Sequence, residues 1–158
     1  MARGFATMWY RVFGTSPAEP APTGLLGHLH QLGTAVGANF SGDEDGWFRA
    51  DLVAEPAGDT VLLERYLVSE EGIRAELNNW AAWVEATGDG LVQERLMRHL
   101  IGTQQLFTVR PPDAAADAEP VGRLCLDVCR FLVWETEGVY QVDDQGFFEP
   151  DGRPLLKE

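Results

Sequence analysis

Two acidic turns hold the side chains most suited to chemistry. Asp43-Glu44-Asp45 and Asp143-Asp144, the latter followed by Glu149 and Asp151, present hard oxygen donors of the kind calcium or magnesium accepts. Asp43, Asp45, Asp143 and Asp144 are therefore the candidate metal ligands, and they could act together only if the two turns converge. Their spacing does not match an EF-hand loop, and Asp and Gly are also the residues that hairpin turns select for backbone reasons. Paired carboxylates suited to glycoside chemistry could occur anywhere in so acidic a chain, so without geometry they single out no pair.

The other reactive types are sparse. Cys125 and Cys129 are four apart in a segment that reads as helix, where both thiols share a face with leucine and valine. They supply half of a tetrahedral site at most, and burial would make them inert. His28 and His30 are two apart on a helix, about 200° around its axis, and cannot share a metal as an i, i+4 pair can. His99 stands alone near a helix end. The glycines at 33, 37, 42 and 46 are not followed by a helix that could hold a phosphate, and Gly-x-Ser-x-Gly and His-Glu-x-x-His are both lacking. No catalytic residue and no cofactor is assigned.

A third constellation is RAELNNWAAWVE, Arg74 to Glu85. Trp80 lies on the apolar stripe of this helix, whereas Trp83 falls on its flank with Glu76 and, further round, Asn79. A partly exposed tryptophan beside amide and carboxylate groups resembles a binding hot spot, so Trp83, Asn79 and Glu76 are candidate partner-binding residues. The competing reading is that Trp83 covers a sheet edge. A small-molecule pocket lined by Trp80, Trp83 and Trp134 is a further alternative, without a convergent polar set.

The elements that must position these groups follow from periodicity. Met8 to Phe13 reads as a strand. Thr23 is expected to cap a short helix with Leu25, Leu26, Leu29 and Leu32 on one stripe. Ala35 to Phe40, Trp47 to Ala54 and Thr60 to Val68 form a meander, with Glu64 and Arg65 on opposite faces of the last strand. Ser69 is expected to cap a helix carrying Glu70 and Glu71 in its first turn, and Asp89 a second helix. Gln105 to Val109 is a strand, Asp113 to Glu119 a loop, and Pro120 to about Glu137 a largely buried helix. Short strands at Val139 to Val142, Phe147-Phe148 and Leu155-Leu156 close the chain.

The runs of consecutive strands predict an α+β fold, a mostly antiparallel sheet with helices packed on one face. Strand–helix–strand–turn–strand describes both Met8 to Ala54 and Gln105 to Leu156, which suggests two related β-α-β-β halves. At 158 residues, with 45% apolar residues, one domain spanning 1–158 is expected, with loops at 17–23 and 111–119.

Charge narrows the partners. Twelve basic against 25 acidic residues give −13, which repels nucleic acid and anionic membranes. A basic protein surface suits this field, and a second copy could pair through an open sheet edge. Met1 to Gly14 lacks the features of a signal peptide, no apolar run is long enough to span a bilayer, and arginine outnumbers lysine eleven to one, as in GC-rich genomes. These features point to the bacterial cytosol and to a non-catalytic acidic interaction domain of the inhibitor, immunity or adaptor type. A metal-dependent enzyme or module using the acidic turns is the alternative.

Overall fold

The computed structural model describes residues 8–116 and 118–158. Residues 1–7, part of the stretch read above as lacking a leader, and Asp117 of the expected 113–119 loop lie outside the described residues. The elements run β1 (Tyr10–Gly14), α1 (Pro22–Gln31), β2 (Val36–Asp43), β3 (Gly46–Ala54), β4 (Asp59–Leu67), α2 (Ile73–Ala86), α3 (Leu91–Ile101), β5 (Gln105–Arg110), α4 (Glu119–Thr136), β6 (Gly138–Val142), β7 (Gly146–Phe148) and β8 (Pro154–Lys157). The strands form one antiparallel sheet in the order β2-β3-β4-β5-β1-β6-β7-β8. This is the α+β, antiparallel class that the strand runs imply.

The helices divide between the two faces, which corrects the one-face packing expected from sequence. Tyr10, Val12, Phe107, Val109, Tyr140 and Val142 pack with Leu25 and Leu29 of α1 and with Leu124, Val128 and Leu132 of α4. Phe13, Leu106, Val139 and Phe147 alternate with those residues and so point the other way. They meet Leu77, Ala81 and Val84 of α2 and Leu96 and Leu100 of α3. The physical reason lies in β1, β5 and β6, where consecutive apolar residues such as Val12-Phe13 and Leu106-Phe107 need cover on both sides.

The two halves share an element order but not a topology. Each runs strand, helix, three strands, with β1 and β5 paired at the centre. The first half lays β2, β3 and β4 from the edge inward, and the second lays β6, β7 and β8 from the centre outward.

Local chemistry moves several boundaries. Pro22 occupies the first turn of α1, where its missing N–H costs nothing, and the N-cap is Ala21 instead of Thr23. Gly72 takes a left-handed φ of 87° immediately before α2, so the helix cannot start at Ser69. Glu70 instead accepts a hydrogen bond from the Leu67 amide at 2.7 Å, holding the turn that leaves β4. Gly90, not Asp89, precedes α3. Within 113–119, Asp113–Ala115 form a single 3-10 turn and Glu119 already belongs to α4. None of the described helices is long and apolar enough to cross a membrane.

Candidate partner-binding surface

One end of the sheet gathers the β2–β3 turn, the β1–α1 loop and the turn after β4 around Arg65. This guanidinium is only 4% exposed, because β4 places it on the same face as the core residues Val61 and Leu63. Its Nε donates to Gln105 Oε1 at 2.8 Å, and its Nη1 to the carbonyls of Trp47 and Asp45 at 3.0 and 3.3 Å. The Trp47 ring lies 5.8 Å away. Gln105 donates in turn to the carbonyls of Ser16 and Ala18 at 2.7 and 2.8 Å, which pins the β1–α1 loop. That loop delivers Glu19, whose carboxylate accepts the Trp47 amide at 2.8 Å, while Trp47 Nε1 donates to the Pro20 carbonyl at 2.8 Å.

Burial lowers the pKa of Arg65, and the carboxylates of Glu19, Glu70, Asp43 and Asp45 oppose that shift. Four carboxylates against one guanidinium leave three negative charges in excess. A groove of about 230 Å3 opens here, lined by Asp43, Asp45, Phe48, Leu67 and Glu70, with Trp47 and Arg65 in its wall. Phe48 is 45% exposed. Asp43 also accepts the Asp45 amide at 2.9 Å, which fixes the turn. The arrangement offers carboxylates for a cationic head and an aromatic face for its aliphatic stem.

The second acidic turn is elsewhere. The register places Asp143 beyond Val142, which is level with Tyr10 at the start of β1, whereas Asp43 lies at the level of Gly14 at its end. Besides lying at opposite ends, β3 and β6 are four strand spacings apart, roughly 19 Å at ~4.8 Å each. One ion cannot be shared by ligands so placed, so the condition on which Asp43, Asp45, Asp143 and Asp144 could act together is not met. Among the described residues no group of three or more His, Cys, Asp or Glu is placed to hold a metal. Asp144 occupies a left-handed position of the turn at φ 67°.

Asp143 is committed internally. It accepts Arg11 Nη1 at 2.7 Å, Gln141 Nε2 at 3.0 Å and the Trp9 amide at 3.1 Å. Burial raises its pKa, but these donors and the positive charge of Arg11 outweigh it and hold the carboxyl below its ordinary 3.8. A lowered folded-state pKa contributes stability above the unfolded value, and that contribution is lost as pH falls through the folded value. Asp143→Asn is therefore expected to lower the urea midpoint at pH 7 and to lose this deficit relative to wild type as pH falls below 3.8, a comparison that paired denaturation curves provide.

Of the tryptophan constellation, Glu76, Asn79 and Trp83 stay on one exposed face of α2, whereas the three-tryptophan pocket does not form. Trp83 is 36% exposed and lies with its ring 6.1 Å from Phe147 and 6.3 Å from Trp80, covering the aromatic cluster on the α2–α3 face. Glu76 accepts Trp80 Nε1 at 3.1 Å, and Asn79 is exposed. Trp134, at 69% exposure, belongs to α4 on the opposite face, so it shares no pocket with Trp80 and Trp83.

Cys125 and Cys129 are buried and unbridged; burial pushes the Cys125 thiol up to about 12 and raises Cys129 well above its ordinary value. His28 packs beside Phe131, His30 Nε2 lies 3.4 Å from the Val36 carbonyl, and His99 Nε2 lies 2.8 Å from that of Phe13. Sequence reasoning passed over Arg65, Gln105 and Glu19. A charged residue inside the apolar run Thr60 to Val68 was the available signal. It also passed over the alternating stack Arg110, Trp9, Arg11, Trp80, whose guanidinium-to-ring distances are 4.7, 5.3 and 5.1 Å.

The scaffold is thus an eight-stranded antiparallel α+β sheet carrying an acidic groove at one end. No protein-family model matches the chain, and neither curated proteins nor solved structures give a match.

Proposed function

We propose that the chain is a non-catalytic interaction domain that binds a basic segment of a partner protein in the groove between the β2–β3 turn and Glu70. The observation that carries this reading is the excess of carboxylates beside the exposed Phe48, around a single guanidinium that is already hydrogen-bonded within the chain. An inhibitor, an immunity-type protein or an adaptor works in this way, by complementarity instead of turnover. Buried, unbridged cysteines suit the reducing bacterial cytoplasm, the compartment we assign to it.

The test uses an arginine-rich peptide as probe, titrated calorimetrically against wild type and the triple variant Asp43→Asn/Asp45→Asn/Glu70→Gln. These replacements keep side-chain shape and the oxygen acceptors of the two turns. Three exposed charge contacts at about 0.5 kcal/mol each predict roughly tenfold weaker binding by the variant. Wild-type affinity should also fall steeply with salt. Binding indifferent to both the substitutions and salt would exclude the groove as the recognition site.

A further inference from the structure

The two edges of the sheet differ in how they end. β8 is four residues long and contains Pro154 and Lys157, residue types that discourage edge pairing. β2 is eight residues long and carries no proline, no lysine and no charge before Asp43. The backbone groups that it turns away from β3 can be assigned from the ladder. Glu55 donates its amide to the Ala35 carbonyl at 2.9 Å, and the register runs Val36↔Ala54 to Ser41↔Arg49. Hydrogen-bonded and non-bonded pairs alternate in an antiparallel ladder. Gly37, Asn39 and Ser41 therefore bond to β3, while Val36, Ala38 and Phe40 turn their N–H and C=O outward. The Val36 carbonyl meets His30 Nε2 at 3.4 Å, which agrees with this assignment.

We infer that β2 pairs antiparallel with β2 of a second copy, about a two-fold axis through Asn39, so that two sheets join edge to edge. In that register Ala38 and Phe40 each exchange both backbone hydrogen bonds with Phe40 and Ala38 of the other copy. The side chains favour this occupant over a foreign strand. Phe40, half-buried with its ring 5.4 Å from Trp47, meets the small Ala38 of the other copy on the core face. The exposed Asn39 faces its own symmetry mate, and amide meets amide without charge. Ser41 lies opposite Gly37, and Asp43 opposite Ala35, so no like charges oppose each other on two chains of −13 each. An isologous contact of this kind closes after two copies.

Two substitutions separate the contact from folding. Ala38→Pro removes an amide that points away from β3, leaving the β2–β3 ladder intact. Asn39→Lys places two ammonium groups face to face on the axis, while within one chain the lysine lies across from Asp51. Sedimentation equilibrium of wild type should show the average mass rising with concentration toward two chains. Both variants should dimerise at least about tenfold more weakly, with circular dichroism and melting temperature near those of wild type. Added salt should tighten the dimer by screening the two acidic chains, the reverse of its effect on the peptide complex, so this inference and the proposed function fail separately. A wild type that stays one chain in mass at every concentration, or a dimer that both variants leave intact, would overturn the inference.

Discussion

Arg65→Met is expected to destabilise the protein by about 3 kcal/mol, because removing one member of a buried charged network strands the groups it satisfied. The thioether fills much of the space but offers no donor. Gln105 Oε1 and the carbonyls of Trp47 and Asp45 then lose their hydrogen bonds, the first two of them in buried positions. Glu19, Glu70, Asp43 and Asp45 lose the one positive charge among them. Arg65→Lys should recover only part of the loss, since one ammonium cannot reproduce the fork that reaches Gln105 and the two carbonyls together. Urea unfolding measures both variants, and a lower midpoint at an unchanged slope is the expected form. A methionine variant as stable as wild type would show that Arg65 does not organise the groove.

The second large effect belongs to Gly146, where Ala should lower the melting temperature by roughly 10 °C, about 3 kcal/mol for a chain of this size. Gly146 opens β7 at φ 117°, a conformation that residues with a Cβ avoid. A Cβ there would overlap the Leu156 carbonyl oxygen and lie 2.8 Å from Lys157 Cα, both backbone atoms of β8. β8 cannot retreat without giving up the pairs Gly146↔Lys157 and Phe147↔Leu156. Phe147 is fully buried among Phe13, Trp80 and Trp83, so displacement of the strand loosens the aromatic cluster as well. Hydrogen exchange should show faster amides through β7 and β8 first. Melting unchanged by the substitution would contradict the tight β7–β8 contact.

What the sequence disclosed and what it withheld divide along local and non-local physics. The antiparallel α+β class was legible because turn residues such as Asp43-Glu44-Asp45-Gly46 and Pro56-Ala57-Gly58 separate short β-branched runs. The apolar stripe of Ile73, Leu77, Trp80 and Val84 was equally readable in α2. The placement of helices on both faces was not, because Val12-Phe13 in β1 reads as a buried strand whichever layers cover it. The start of α2 turned on Gly72, whose left-handed backbone outweighed the capping preference of Ser69.

The same division runs through the site. Asp43 and Asp45 stood out as acidic turn residues, yet their relation to Glu19 and Glu70 depends on Arg65 and Gln105, which are 40 positions apart in the chain. The separation of Asp143 from Asp43 likewise follows from strand order, which composition does not encode.

The most direct test of the acidic groove as a recognition site is an amide chemical-shift titration of the labelled protein with an arginine-rich peptide at low salt. The structure predicts saturable shifts concentrated in Asp43 to Phe48, Leu67 to Glu70 and the Glu19 loop, all removed by Asp43→Asn/Asp45→Asn/Glu70→Gln. Shifts spread evenly over the acidic surface, or centred on the β6–β7 turn or on Trp83, would contradict it.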